Sequence, residues 1–300
     1  MLVNASALSA VFVNLRTDFN RAFQAAPSQW NKVAMRVPSG SSQNDYKWLA
    51  NFPKMRQWIG DKHIKNLAAY SYTIVNDDWE VTIEVDRNHI EDDTLGIYAP
   101  QAQMAGFSAA QLPDEIVFAL VNEATTNKCY DGKAFFASDH PVGSGSVSNI
   151  NTNALQADTL AHAAASYGAA RTAMKGFLDD EGRPLGVTPN VLLVPLALED
   201  TANALMTMER LEDGKNNPYR GTAEVVVSPW LTDSNQWFLL DCTKPVRPFI
   251  YQERKAPTFV QQTDMNNDAV FNRRAYKYGA EARAAGGYGF WQLAYANNPG

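Results

Sequence analysis

Apolar residues fall at helical spacing from the start of the chain. Over residues 5–26, Phe12, Leu15, Phe19 and Phe23 share one stripe, and Pro27 ends the pattern. Such a stripe docks either on the rest of its own chain or on another copy. The run VPSGSSQND (37–45) reads as a flexible connector. Residues 46–67 then mix Trp48, Phe52, Trp58 and Ile59 with Lys54, Arg56, Lys62 and Lys65, too charged for a core and too aromatic for a plain loop. In AYSYTIVNDDWEVTIEVDR, Tyr70, Tyr72 and Ile74, then Trp79, Val81, Ile83 and Val85, alternate with polar residues around a turn at 76–78. The alternation predicts a hairpin with one wet face. A two-stranded hairpin is marginal alone in water, so the rest of the chain or a neighbour must cover it.

Residues 99–127 are helical in pattern, and Pro113 before Asp114 and Glu115 predicts a bend where a helix restarts. GSGSVSNINTN (143–153) is a polar loop. Asp158 is placed to cap a helix reaching about Leu178, with Leu160, Ala164, Tyr167, Ala170, Met174 and Phe177 on one face. VTPNVLLVP (187–195) predicts a buried strand, 198–211 a helix and 212–221 an exposed loop, while TAEVVVSPW, NQWFLLD and RPFIYQE predict strands. Residues 267–296 read as strands with Gly286 and Gly287 at a turn or bulge. Helices and strands without regular βαβ alternation or tandem repeats give an α+β class.

Composition changes this picture in two ways. At 300 residues and 45% apolar the chain can bury a large core, yet 7 Trp, 12 Tyr and 14 Phe beside 19% charged residues exceed what a monomer easily hides. Some of those rings are expected to meet another subunit. The net charge of −6, with no basic run longer than two, argues against electrostatic gripping of nucleic acid. The first residues lack a charged n-region, no 18 consecutive residues are apolar, and the two cysteines are far apart. No secretion signal, no membrane span, reduced thiols and synthesis in the cytoplasm are therefore expected.

Candidate chemistry centres on CYDGKAFFASDHPVG (129–143), which gathers Cys129, two aspartates and His140. A cysteine nucleophile needs a neighbouring base and a lowered pKa, but Cys129 follows a predicted helix C-terminus, where the dipole acts the other way. His140 before Pro141 suits a rigid turn that Asp139 can cap. Zinc takes about four ligands, and the chain has no CxxC or HxxxH spacing. DRNHIEDD (86–93) reads as a solvated turn, and GSGS at 143–146 lacks the lysine of a phosphate loop. His63 and His162 read as surface residues. No catalytic, metal or cofactor-binding residue is expected.

Six blocks, in order, carry a resemblance. They are VNASALSAVF; KMRQWIGDKHIKNL with DDTLGIY; CYDGKAFFASDHPVG; NPYRGTAEVVVSPWLTD; WFLLD with RPFIYQERK; and FNRRAYKYGAEARAAGGYGFWQLAYA. Nearly end to end, the chain resembles the major head subunits of Mu-like phages, a branch of the tailed-phage major capsid proteins. The resemblance implies an N-terminal arm (1–45), an extended two-stranded loop (46–86), a peripheral domain on a long spine helix (87–157 and 265–300) and an axial domain (158–264). It implies a virion protein, assembled in the host cytoplasm, whose copies form hexamers and pentamers of an icosahedral shell. Scaffold, portal and decoration proteins are its implied partners, and double-stranded DNA is enclosed without sequence-specific binding. In this family the DGKAFFASDHP block is structural.

Large rings and arginines dominate interface energy. The expected contact residues are Trp48, Arg56, Trp58 and Lys62 on the extended loop, Asn217, Pro218, Tyr219 and Arg220 near the ring axis, and Phe12, Phe19 and Phe23 on the arm. Two rival readings are a cargo-enclosing bacterial compartment of the same fold and a cysteine hydrolase using Cys129 and His140.

Overall fold

The computed structural model describes residues 5–50, 72–86, 88, 89, 98–179, 181–262, 264 and 275–298. In chain order, helix α1 (Ala5–Ala25), the single turn α2 (Trp30–Val33) and strands β1 (Ala34–Pro38), β2 (Gln43–Asp45), β3 (Thr73–Val75) and β4 (Asp77–Asp86) precede the long helix α3 (Ala99–Asn122). Short strands β5 (His140–Val142), β6 (Gly145–Val147) and β7 (Ile150–Asn151) lead to helix α4 (residues 160–175), β8 (Val191–Val194) and helix α5 (Glu199–Thr207). Strands β9 (Glu224–Val227), β10 (Trp237–Leu240), β11 (Phe249–Gln262), β12 (Ala275–Tyr288) and β13 (Ala294–Asn297) complete the described elements.

The aromatic stripe of α1 finds its cover inside the same chain. Phe12 and Phe19 are 0% and 1% exposed. Phe12 meets Tyr276 and Tyr278 edge-on, and Phe19 meets Phe259 with ring centroids 5.5 Å apart. Each such ring contributes about 1.5–3 kcal/mol by leaving water. The expectation that Phe12 and Phe19 meet another subunit is therefore corrected: β11 and β12 supply the partner surface. On its other side α1 lies along α3. α3 is long and apolar enough by length and composition to cross a membrane, but half of that stretch is buried between α1 and the sheet. Pro113 sits inside this continuous helix. Next to it, the buried Asp114 accepts backbone N–H bonds from Gln29 and Trp30 at 2.9 and 2.7 Å, which ties the end of the arm to α3.

Two sheets divide the body. The first has the order β1-β11-β12-β4, with β1 parallel to β11 and the rest antiparallel; the second has the order β7-β13-β10-β8-β9. This partition differs from the one read in the sequence. β11, assigned to 158–264, belongs to the sheet that carries α3, whereas β7 and β13, assigned to the other unit, belong to the five-stranded sheet. Strand pairing across long sequence separations decides membership, and local periodicity does not encode it.

The hairpin expected at 70–86 is also corrected. β3 and β4 are consecutive but do not pair: β3 pairs with β2, and β4 pairs with β12 over its whole length. Asn76 marks the crossing from the two-stranded sheet of β2 and β3 to the four-stranded sheet. Gly286 and Gly287 lie inside β12, in continuous register with Tyr251 and Ile250, rather than at a turn. Their missing side chains make room. A Cβ at Gly287 would stand 2.1 Å from Ile74 Cδ1, and one at Gly286 would stand 2.5 Å from Leu120 Cδ1.

Helix α4 follows the predicted stripe with one shift. A wide π turn at Ala164–Gly168 adds a residue, so that Ala163 is buried where straight α spacing selects Ala164. Its N-cap is Thr159, whose hydroxyl accepts the His162 N–H at 3.2 Å; Asp158 instead bonds the His162 ring.

Three tight turns of one design, unrecognised in the sequence, close short β-bridges at 128/134, 178/184 and 210/216. Each runs acid-Gly-base: Asp131-Gly132-Lys133, Glu181-Gly182-Arg183 and Asp213-Gly214-Lys215. The glycines have φ of 81°, 75° and 75°, which costs residues with a Cβ about 1–2 kcal/mol.

Candidate functional site

Of the expected loop contacts, Trp48 is described, and Arg56, Trp58 and Lys62 lie outside the described residues. Trp48 stands on a 3-10 turn, edge-on to Tyr46 and Phe290, and 38% of it stays exposed. It flanks the root of the segment 46–72. There the Tyr46 N–H donates to Tyr72 O at 2.7 Å, and β2 pairs with β3.

Beneath this root lies a polar network that the sequence reading missed. Tyr46 OH donates to Gln252 Oε1 at 2.7 Å, and Gln252 Nε2 donates to Ile74 O at 3.1 Å and Asn76 Oδ1 at 2.8 Å. Asn76 Nδ2 in turn donates to Ser39 Oγ at 3.0 Å and Ser41 O at 2.9 Å. Gln252 is 0% exposed, and Tyr46, Asn76 and Ser39 are buried around it. Burial pushes the Tyr46 hydroxyl up to about 12, so it serves as a neutral donor.

Near the other sheet, the axial-loop set divides. Asn217 is buried and donates to Leu205 O and Met208 O at 2.7 and 3.1 Å, while its Oδ1 accepts the Tyr219 N–H. Tyr219 packs edge-on against Tyr167, over Gly168. Asn217 and Tyr219 thus shape their own loop, and Pro218 and Arg220 are its exposed members. On the arm, Phe23 stacks on Phe19 but also lines an open groove of about 320 Å³ with Trp30, Pro113 and Tyr251.

The structure does bring Cys129 and His140 together, with Asp131 between them. Their donor atoms lie within 4.8 Å of one another. Asp131 was not singled out in the sequence; the acid-Gly-base turn is the signal that marks it. Cys129 Sγ donates to Asp131 Oδ1 at 3.1 Å, and His140 Nδ1 lies 2.6 Å from Asp131 Oδ2. His140 Nε2 lies 3.2 Å from Asn149 Oδ1, and the ring stacks on Trp291 at 4.1 Å. Both ring nitrogens are thus engaged, neither with the thiol. Burial, and then the Asp131 charge, pushes the Cys129 thiol far above its ordinary range. Burial alone would raise Asp131, but its bonds from His140, the Lys133 N–H and Cys129 hold it below the ordinary carboxylate value. A nucleophilic thiolate needs the opposite arrangement. Metal binding would strip the thiol proton and break the His140 bond, with three donors where about four are needed. The group works as a hydrogen-bonded tie between the chain after α3 and Trp291.

Comparisons with known proteins place the whole chain in a family. The family model of the Mu-like prophage major head subunit gpT matches residues 8–162, 156–231 and 232–299. The chain is 33% identical over 296 residues to the major capsid protein of Escherichia phage Mu, covering 99% of this chain and 75% of that one. It is 31% identical over 294 residues to the Mu-like prophage FluMu major head subunit of Haemophilus influenzae, covering 98% and 74%. Among solved structures, the procapsid of bacteriophage JBD30 contains a chain with 31% identity and a TM-score of 0.63, covering 99% of this chain and 76% of that one. The fold is that of the phage capsid proteins, and the chain belongs to the family of Mu-like prophage major head subunits, gpT.

Proposed function

We propose that this chain is the shell-forming subunit of a phage head, whose copies assemble as hexamers and pentamers into an icosahedral shell around double-stranded DNA. The likeness to the phage Mu major capsid protein along 99% of the chain carries the reading. On this reading the four-stranded sheet with α1 and α3 is the peripheral part of the subunit, and the five-stranded sheet with α4 and α5 is the axial part. Trp48, Arg56, Trp58 and Lys62 on the extended loop, with Pro218, Arg220 and the half-buried Phe23, supply contacts between copies. Each contact recurs by symmetry, so modest single contacts sum to a stable assembly. Scaffold, portal and decoration proteins act with it in the host cytoplasm before it becomes part of the virion. No catalytic role is assigned: the thiol of Cys129 is buried and its proton is held by Asp131.

The net charge of −6 fits a container whose wall does not grip the packaged duplex. Expression alone and with the scaffold and portal proteins, followed by electron microscopy, tests the proposal. Closed particles, tubes or rings are the expected result. A chain that stays monomeric at high concentration in every combination overturns it.

A further inference from the structure

We propose that Gln252 is a positioning residue, a clamp that ties the chain at Tyr46 and at 74–76, on either side of the segment 46–72, to the four-stranded sheet and so sets the direction of the chain at both of these ends. The inference rests on the shell reading above, because the direction matters where the segment reaches a neighbouring copy.

One side chain serves both ends. Its oxygen accepts from Tyr46 at the outgoing end, and its amide nitrogen donates to Ile74 O and Asn76 Oδ1 at the returning end. The amide has a single workable orientation. Turned over, its oxygen would face Ile74 O and Asn76 Oδ1, two acceptors. Asn76 cannot turn to compensate, because its own Nδ2 is committed to Ser39 Oγ and Ser41 O. Ser39 is fixed in turn by its N–H bond to Glu253 O at 2.8 Å, one residue beyond the clamp on β11. On the far side, Gly287 lets Ile74 lie directly against β12.

Apolar burial is non-directional and would hold the ends at a range of angles. A satisfied polar network in a low-dielectric interior holds them at one. Glutamine is suited to the position because it accepts and donates from one planar group. Glutamate keeps only the acceptor, and leucine keeps neither function.

The test uses the full chain in three variants. Gln252→Glu removes both donors, Tyr46→Phe frees only the outgoing end, and Val226→Ala in the five-stranded sheet lowers the melting temperature away from the root. Hydrogen exchange is measured on unassembled subunits, and particle diameters are measured by electron microscopy. Exchange at 43–46 and 72–76 is expected to speed up roughly fivefold or more in the two root variants, with 237–240 unchanged. Their particles are expected to spread in diameter or open into tubes, while Val226→Ala particles stay uniform. Tyr46→Phe, which loses one hydroxyl, keeps the test readable if Gln252→Glu does not fold. Unchanged root exchange overturns the clamp. So do uniform particles from loosened roots, or equal disorder in the Val226→Ala control. If the parent chain forms no particles under any condition, the shell reading falls, and root exchange alone decides the clamp.

Discussion

A hydrogen atom is all that Gly106 can place against α1: a Cβ there would stand 2.3 Å from the carbonyl oxygen of Phe19 and 3.0 Å from its carbon. Because the obstruction is backbone, the helix itself must lift. Gly106→Ala is expected to cost about 1–3 kcal/mol by overpacking and to lower the melting temperature by about 2–4 °C per kcal/mol. Trypsin should then cut at Arg16 and Arg21 before it attacks the body, which digestion followed by mass spectrometry would read. Equal resistance in the parent and the variant would mean that α1 does not pack as described. At Cys129 the expectation is inertness. With its thiol buried and its proton held by Asp131, labelling by a thiol reagent at neutral pH should be at least about tenfold slower than for free cysteine, and unfolding should restore it. Rapid labelling in the folded chain would return the hydrolase reading to contention. The stripe of Phe12 and Phe19 was legible in the sequence, but its covering surface was not. A ring carries no address, and Tyr276, Tyr278 and Phe259 lie at the other end of the chain.

The three acid-Gly-base turns show what an element can demand of one residue. Nothing lies within 4 Å of a Cβ built on Gly132, Gly182 or Gly214, so a substitution there meets only the cost of its positive φ. Alanine at any of the three should cost about 1–2 kcal/mol, and asparagine less. Gly279 is a contrasting case in a strand. Its Cβ would lie 1.8 Å from Val81 O and push β12 away from β4, so Gly279→Ala should cost clearly more than Gly214→Ala. Thermal melts of the two variants side by side check the ranking, and equal losses would contradict the packing of β12 on β4. Elements with strong periodicity were readable: α1, α3 and the apolar strands β8 and β10. The 70–86 hairpin misled because alternation on both sides of Asn76 reads alike whether two strands pair with each other or with distant partners. The π turn in α4 left no mark in the spacing except that the burial phase slips by one residue.

At the scale of the molecule, the order of the blocks made the family legible, while the assignment of strands to two sheets stayed hidden in long-range pairing. Electrostatics gives the whole chain a testable property. Asp179 is buried and the side chain of the half-buried Asp131 is nearly covered, which by itself raises a carboxyl, yet bonds from His140, Lys133 and Cys129 to Asp131 and from Arg183 and Glu181 to Asp179 hold both below the ordinary value. A carboxylate whose folded value is depressed stabilises the fold at any pH above its unfolded value of about 3.9, and loses that contribution as the pH falls through the folded value. The melting temperature should therefore stay level, as far as these groups decide it, from neutral pH to about 5 and fall below about 4. Asp131→Asn should sit about 1–3 kcal/mol lower at neutral pH, and the gap should begin to close once the pH falls below about 4 and vanish below the folded value of Asp131. A gap that does not narrow at all as the pH falls below about 4 would mean that the carboxylate is not the stabilising group. Assembly adds a further term, since contacts that only the folded subunit can make shift its unfolding by mass action. Particles should accordingly survive to lower pH than free subunits, and more so at higher concentration. Identical acid midpoints for the two, followed by circular dichroism and light scattering, would show that contacts between copies do not support the fold.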